Sequence, residues 1–456
     1  TIEDFLNAFK PSTDFDLDRF ARWYSQPGTP TVQATGEYEA ISKTYRLTLT
    51  QTTPPTPNQT DKQPQVLPIR IALFSSNGQQ LETVLNGKSA AEHLLVLGEA
   101  SHEFVFEKVA STPIHSLNRN FSAAIKLEDG LNDASRSVLA ASETDAFAQW
   151  ESLQTLARSI ILDRTIGADK EGTGRVAAFV DAVDAAVRSA SDDPAYAALL
   201  LRLPAVGEMM LDMEEADPEA LNIQRMKVKT ALAKRMQGYL EALADAPGSD
   251  EFDPGAEAAG KRALKNSALD LLSALGDAQV DRIFDVFETA STMTESLAAL
   301  TALGAIDDES FDEALDVFEG LWSSAPLIMD KWYSVQATAV RSDTHKRLDK
   351  LSHRKDFNLK NPNRVRALAA SFAMNNPVSF HQSDGSGYKF LADTILKVDP
   401  LNGALSARLA TAFESWRKFS AKHREHAEAE LKRLDASNLS KNARDIVNRA
   451  LAPIDN

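Results

Sequence analysis

The sequence predicts a small antiparallel β-sandwich followed by a large all-α superhelical domain. Three observations support this fold class. Between Pro30 and about Glu128, short segments alternate apolar and polar residues with a period of two, as half-buried strands do. Turn-forming residues such as Asn86-Gly87 separate these segments. After Asp129 the strand pattern ends, and the chain becomes rich in Ala, Leu, Glu and Arg, which favour helices.

The predicted strands are short and rich in β-branched or aromatic residues. They lie at residues 44–50, 66–74, 103–107 and 122–127. The proline-rich stretch 54–58 and Ser76-Asn77-Gly78 provide turns between them. Several short strands separated by turn residues over about 100 residues are typical of an antiparallel sandwich, which we assign to residues 29–128.

The helical region, residues 129–456, carries apolar stripes with a helical period. The clearest predicted helices lie at residues 147–162, 226–243, 264–275, 311–321 and 410–434. Helix-ending signals, Pro218, Gly304 and Pro400 among them, fall between these stripes. No tight repeat period is present, so the pattern favours a divergent HEAT or armadillo-like solenoid over a tetratricopeptide or ankyrin array.

The first 28 residues read as two short helices and a turn. Phe5, Phe9, Phe20 and Trp23 recur at near-helical spacing before the Pro- and Gly-containing residues 26–30 break the pattern. Charged Glu3 and Asp4 leave no apolar signal-peptide core here. Because the chain begins with Thr, we expect a processed protein or part of a longer one.

Composition excludes several functional classes. The chain has no cysteine, which excludes disulfides and thiolate chemistry. The net charge of −16 is uneven, with 18 basic against 38 acidic residues in 129–341 and 20 against 13 in 342–456. The acidic middle argues against nucleic acid as a partner. The basic final quarter could attract an anionic group, or it could balance an acidic neighbour.

Known catalytic signatures are absent. The chain contains no P-loop, no G-x-G-x-x-G, no G-x-S-x-G and no H-E-x-x-H. His102-Glu103 lacks a second histidine and lies in a predicted strand. His426 and Glu430 are one helical turn apart within a predicted helix, a spacing that could hold a metal. The charged residues around them favour a solvated helix face instead, and we predict no metal ligand in this chain.

Two motifs in the last third of the chain read as helix starts. In Asp384-Gly385-Ser386-Gly387-Tyr388 the glycines permit a tight turn, and Asp384 or Ser386 could cap the next helix; ligand binding is the alternative. In the second motif, residues 361–366, Asn361 is a plausible N-cap and Pro362 a first-turn proline. The stripe Val365, Leu368 and Phe372 should face the core, with Arg366 beside it.

Several of these stretches together resemble bacterial aminopeptidase N, the alanyl aminopeptidase family of zinc metallopeptidases. The resemblance covers nearly the whole chain, and its segments occur in the family's order. The segments are Phe20 to Pro30, Gln51 to Pro57 with Lys62-Gln63-Pro64, Met329-Asp330-Lys331-Trp332, Asn361 to Arg366, and Phe380-His381 through Tyr388.

The resemblance implies that this chain is only the C-terminal half of such an enzyme. The family removes N-terminal amino acids from peptides, and its zinc ligands and catalytic glutamates lie in two preceding domains. Residues 1–28 would then be the tail of the catalytic domain, followed by the sandwich and the helical domain. Zinc would belong to the full-length enzyme and not to this chain, which should be inactive alone. The absence of cysteine fits a reducing compartment, and we expect a cytoplasmic location.

The resemblance further implies a role for the helical domain. In this family it closes over the catalytic cleft, admits peptides and excludes folded proteins, and two of its arginines contact substrate beyond the scissile bond. Matching motifs place these arginines at Arg366 and Arg408. Guanidinium groups suit peptide carbonyls or a C-terminal carboxylate. The alternative for each is an ion pair with a neighbouring helix.

Partners follow from the same resemblance. We expect the N-terminal catalytic half of the same protein and peptide substrates, with no nucleic acid and no membrane. The alternative function is a helical-repeat scaffold that binds other proteins without any role in peptidase activity.

Overall fold

A computed structural model describes residues 1–13, 16–169, 172–248 and 252–453. The chain forms two compact units. One comprises Thr1–Leu156 with Asp181–Ser189, and the other comprises Ala157–Val180 with Ala190–Asn456. The first unit contains a two-sheet β-sandwich and the second is helical, so the predicted fold class is confirmed.

Ten strands are present among the described residues of the first unit. They are β1 (Thr31–Glu39), β2 (Thr44–Thr52), β3 (Leu67–Phe74), β4 (Gln80–Leu81), β5 (Thr83–Leu85), β6 (Lys88–Ala90), β7 (His93–Leu97), β8 (Ser101–Glu107), β9 (Ile114–Leu117) and β10 (Lys126–Glu128). The strands predicted at 44–50, 66–74 and 103–107 are confirmed as β2, β3 and β8. The one predicted at 122–127 is wrong for its first half, since only Lys126–Glu128 pairs.

The strands form two sheets. The larger has the order β10-β1-β2-β8-β5-β6, and the smaller has β4-β3-β7 with β9 paired to β3. All pairs are antiparallel except β1 with β10, which run parallel. Leu47 and Leu49 of β2 belong to the same buried cluster as Ile69 and Ile71 of β3. Alternate residues of both sheets therefore fill one core, as in a sandwich.

The other regular elements among the described residues are mainly α-helices. Short α1 (Ile2–Phe9), α2 (Leu17–Phe20) and α3 (Arg22–Ser25) precede the sandwich. The remaining helices are α4 (Asp133–Ser142), α5 (Ala146–Thr165), α6 (Thr173–Ser189), α7 (Pro194–Leu200), α8 (Val206–Met209), α9 (Pro218–Ala244), α10 (Ala256–Ser273), α11 (Val280–Thr289), α12 (Met293–Gly304), α13 (Ser310–Trp322), α14 (Pro326–Thr338), α15 (Thr344–Ser352), α16 (Pro362–Val365), α17 (Ser371–Asn375), α18 (Pro377–Phe380), α19 (Ser386–Val398), α20 (Gly403–Ala410), α21 (Ala421–Asp435) and α22 (Lys441–Leu451).

The helix predicted at 410–434 is wrong as a single element. Helix α20 ends at Ala410 and α21 begins at Ala421, with two 3₁₀ turns between them. The apolar residues in the gap recur every three positions, which is the period of a 3₁₀ helix. All three of them, Phe413, Trp416 and Phe419, are buried, so tertiary packing selects the tighter turns.

Within the helical unit, hydrogen bonds join residues that are far apart in the sequence. Ala216 N donates to Lys418 O at 2.7 Å, and Lys418 Nζ donates to Leu211 O, 207 positions away, at 2.8 Å. In a simple solenoid each repeat contacts only its neighbours. These hydrogen bonds therefore connect residues 211–216 to Lys418, near the end of the same helical unit.

Candidate functional site around Arg366 and Arg408

The helix start predicted before Arg366 is confirmed. Asn361 caps the helix because its side-chain oxygen accepts from the backbone amides of Asn363 and Arg364, and Pro362 occupies the first turn. The predicted core stripe, Val365, Leu368 and Phe372, is fully buried.

Arg364 is the buried arginine of this motif. Its Nε donates to Asp330 Oδ1 at 2.6 Å, and its Nη1 donates to Asp356 Oδ2 at 2.9 Å. Its guanidinium carbon lies 4.5 Å from the centroid of the Tyr333 ring. We call Arg364, Asp330, Asp356 and Tyr333 the Arg364 cluster. It joins two segments that are far apart in the sequence, 329–332 and 361–366.

Two members of the Arg364 cluster, Arg364 and Asp356, favour their charged forms. Burial opposes the charge on Arg364, but its hydrogen bonds and charge interactions with Asp330 and Tyr333 together outweigh burial and raise the pKa of the guanidinium. Burial likewise opposes the charge of Asp356, yet hydrogen bonds from Arg354 and Tyr333 lower its pKa. Arg354 also contacts Glu319 and lies 4.8 Å from the Trp332 ring centroid. Arg364 therefore has its partners inside the protein.

Arg366 has the opposite environment. Its side chain is exposed, and its Nη1 donates to Asn363 Oδ1 at 3.2 Å, one turn back. No Asp or Glu in the described part of the chain forms an ion pair with it. The alternative that Arg366 serves a structural ion pair therefore finds no support among the described residues.

The backbone at Arg366 is unusual. Arg366–Ala370 form a π-helical turn, in which the amide of Ser371 donates to the carbonyl of Arg366. Ser334 Oγ, on α14, lies 3.1 Å from Ala367 O, and Ser371 Oγ lies 3.3 Å from Arg366 O. Such turns often mark functional sites. No sequence pattern considered above predicted it.

Arg408 is also exposed, near the end of α20. Asn402 caps this helix through Leu405 N at 3.0 Å, and the neighbouring Ser406 and Leu409 are buried. A cation in the last helical turn suits the negative end of the helix dipole. Across the described residues, no hydrogen bond or ion pair links Arg408 to Arg366 or to an acidic side chain. The two arginines thus lie on different helices, each without a carboxylate partner.

The Asp384–Tyr388 motif has a structural role. Gly385 is the N-cap of α19 with a φ of 76°, and the Asp384 carboxylate accepts from Ser386 N at 2.9 Å. A Cβ on Gly387 would stand 2.1 Å from Phe380 O. Ser386 Oγ lies 3.1 Å from His345 Nε2, but that nitrogen also lies 3.0 Å from Ser379 O and so must carry its proton. It cannot activate the hydroxyl as a base.

The histidines of α21 are partly buried, which corrects the interpretation as a solvated face. His423 is buried and its Nδ1 lies 2.6 Å from Ser420 Oγ, while His426 packs beside Gly385. Across residues 1–13, 16–169, 172–248 and 252–453, no group of three His, Asp or Glu side chains is arranged to hold a metal ion. The described residues therefore do not fit a zinc site.

An exposed apolar groove lies in the first unit. The rings of Phe5 and Phe9 on α1 and of Tyr24 on α3 are about half exposed. With strand residues that include Pro68 and Val96 they line a groove of about 430 Å³. Contiguous exposed apolar surface of this kind typically marks a contact with another protein surface.

These observations define a class of protein, an Ig-like sandwich followed by irregular helical repeats. A family model described as a domain of unknown function (DUF3458) with an Ig-like fold matches residues 28–130, and one described as DUF3458_C ARM repeats matches residues 133–452. The chain belongs to the aminopeptidase N family, in which it corresponds to the C-terminal part and carries these two domains.

Individual relatives agree with the family assignment. Aminopeptidase N of Caulobacter vibrioides is 37% identical over 99% of this chain, and that of Escherichia coli is 32% identical over 99%. The solved structure of Legionella pneumophila aminopeptidase A in complex with aspartic acid is 28% identical, with a TM-score of 0.83, over 99% of this chain and 52% of that one. The chain spans about half the length of the curated relatives it matches.

The helices give one further negative finding. None of those in the described part of the chain combines the length and the apolar composition needed to cross a bilayer.

Proposed function

We propose that this chain is the non-catalytic C-terminal half of a zinc aminopeptidase that removes N-terminal amino acids from peptides. The helical domain caps the active-site chamber, limits access to peptides and contacts substrate beyond the scissile bond. Zinc, bound by the other half, would polarise the scissile carbonyl and activate water. The residues of this chain supply binding and exclusion, and no chemical step passes through them.

The main support for the proposal is that Arg366 and Arg408 are exposed and have no acidic partner among the described residues. The chain has 65 acidic residues, yet neither arginine pairs with one among the described residues. Exposed guanidinium groups are free to bind an external acceptor, and a carboxylate or peptide carbonyl matches their geometry. In a closed chamber from which water is displaced, such contacts strengthen.

The apolar groove supports the proposed partner. Phe5, Phe9 and Tyr24 belong to residues 1–28, which precede the Ig-like match that begins at residue 28. Burying these rings against the catalytic half would remove apolar surface from water and stabilise the association of the two halves. The catalytic half of the same protein is thus the occupant we propose for this groove.

The test compares two substrates in the protein that joins this chain to its catalytic half. Arg366→Ala and Arg408→Ala should each raise KM for trialanine about tenfold, because a charge-assisted hydrogen bond is lost. The KM for alanine p-nitroanilide, which has no residues beyond the scissile bond to bind, should change much less. Lys360→Ala, which removes a charge from an exposed residue of the same region, is the matched control.

Two results would contradict the proposal. Equal changes for both substrates would mean that the arginines act on stability or folding and not on the distal part of the peptide. An unchanged KM for trialanine in both variants, with a different protein bound stably to the chain, would instead favour the scaffold function.

A further inference from the structure

Two serine hydroxyls pack against the π turn that begins at Arg366. Ser334 Oγ and Ser371 Oγ lie 3.3 Å apart, and each also lies within hydrogen-bond distance of a carbonyl of the turn. Ser334 belongs to α14, whereas Ser371 begins α17. The pair therefore bridges the wide turn to a neighbouring helix.

The π turn determines where Arg366 points. A π turn contains one residue more than an α turn, so it shifts the helical register across it by about 100°. Phe372, just after the turn, is fully buried and fixes the register of α17. If the turn reverted to α-helical hydrogen bonding, Arg366 would rotate about the helix axis relative to Phe372, and its guanidinium would point in a different direction.

The residues before the turn are anchored as well. Arg364 is held by Asp330 and Asp356, and Asn361 caps the helix. Within the described residues, the side chain of Arg366 is held by the 3.2 Å hydrogen bond to Asn363 alone. Its direction therefore depends on the backbone of the turn, and two hydroxyls contact the carbonyls of that turn directly.

We propose that Ser334 and Ser371 are positioning residues that hold the π turn and thereby direct Arg366 toward the carboxylate of a bound peptide. This inference rests on the proposed function of Arg366. Each hydroxyl has a single proton to share: Ser334 Oγ also lies 3.0 Å from Asp330 O, and Ser371 Oγ also lies 3.3 Å from Ser334 Oγ. Without the two hydroxyls this shared set of contacts to the carbonyls of Arg366 and Ala367 is lost, and the π turn is held less firmly.

The experiment uses steady-state kinetics of the joined protein with trialanine and trialanine amide, which lacks the terminal carboxylate. The double variant Ser334→Ala/Ser371→Ala should raise KM for trialanine about tenfold. It should leave kcat and the KM for the amide nearly unchanged. The double variant Ser334→Thr/Ser371→Thr, which restores both hydroxyls, should recover the KM for trialanine. Ser352→Ala is the matched control, since it removes a hydroxyl on α15 that donates to Asp349 O.

The outcomes separate this inference from the function on which it rests. If Arg366→Ala raises the KM for trialanine but the serine double variant does not, the positioning role is overturned and the proposed function stands. If the double variant raises KM equally for both substrates, or Thr fails to restore it, the serines act on general stability and the inference fails. If Arg366→Ala changes nothing, the proposed function fails and this inference fails with it.

Discussion

Arg364 and Arg366 show how two arginines separated by a single residue can serve different purposes. The helix turns about 100° per residue, so residues two apart face roughly opposite sides. Arg364 faces inward, where two carboxylates and the Tyr333 ring surround it. Arg366 faces outward without a carboxylate partner among the described residues. One therefore stabilises the fold, and the other is available to a ligand.

This contrast predicts opposite effects on stability. Arg364→Ala leaves Asp330 with a buried charge that has lost its counterion, so the free energy of unfolding should fall by about 3–5 kcal/mol. Arg366→Ala removes an exposed side chain and should change it by no more than about 0.5 kcal/mol. Urea unfolding of both variants measures the difference. Equal losses would contradict the assignment of one buried and one free arginine.

Gly385 gives a second residue-scale prediction. Its φ of 76° suits glycine, and a Cβ would also stand 2.6 Å from the His426 ring. Gly276 has a φ of 68° with open space around its Cβ position. Substitution there therefore measures only the cost of placing a side chain on a left-handed backbone. Gly276→Ala should cost about 1 kcal/mol, and Gly385→Ala about 1–3 kcal/mol more. Similar losses, measured by thermal unfolding, would mean that the His426 contact relaxes freely.

At the residue scale, helix N-caps could be predicted from the sequence, but the ion-pair partners of buried side chains could not. Asn361 and Pro362 were predictable because capping depends on residues a few positions apart. The pairing of Arg364 with Asp330 spans 34 positions and needed the fold. The roles of Arg366 and Arg408 came from family resemblance, and substrate binding by them remains a prediction.

At the scale of elements, aromatic packing holds the 416–420 segment against its neighbours. The Phe419 ring stacks on His381 with centroids 3.9 Å apart, and His381 Nδ1 lies 2.9 Å from Tyr388 OH. Burial, with a smaller contribution from the charge of His423, lowers the pKa of His381 to about 3. The folded protein therefore requires the neutral imidazole.

This requirement predicts a pH dependence. Because the folded pKa of His381 lies below the unfolded value of about 6.5, its contribution to stability is complete above pH 6.5 and falls with pH below it. The loss should approach 1.4 kcal/mol per pH unit, roughly, for this residue. His381→Gln keeps an acceptor for Tyr388 and removes the titration. Urea unfolding at pH 7, 6 and 5 should show a shallower decline in His381→Gln than in the natural protein, and equal declines would contradict the prediction.

Strands and helices could be predicted where a single sequence pattern, such as strict apolar–polar alternation, was clear. Strand β2 has clean alternation and was found, whereas β1 was missed because Gly36 interrupts it. A Cβ at Gly36 would meet the Tyr45 ring of β2, so this glycine serves a cross-strand contact that a single strand cannot reveal. The 3₁₀ turns at Phe413 and Trp416 were missed for the same reason. The apolar residues there recur every three positions, but it is the burial of Phe413, Trp416 and Phe419 in tertiary contacts that selects the tighter turns.

At the scale of the whole molecule, the chain combines a sandwich that carries an exposed apolar groove with a helical unit that carries the surface arginines Arg366 and Arg408, neither of which has an acidic partner among the described residues. Neither unit, within its described residues, offers a metal-binding cluster. The proposed function is a division of labour between this chain and a catalytic half.

The most direct measurement is hydrolysis of alanine p-nitroanilide by this chain, by the separately produced catalytic half with zinc, and by their mixture. We expect no turnover by this chain alone, and activity in the mixture well above that of the catalytic half. Zinc-dependent turnover by this chain alone, or a mixture no more active than its catalytic half, would contradict the division of labour.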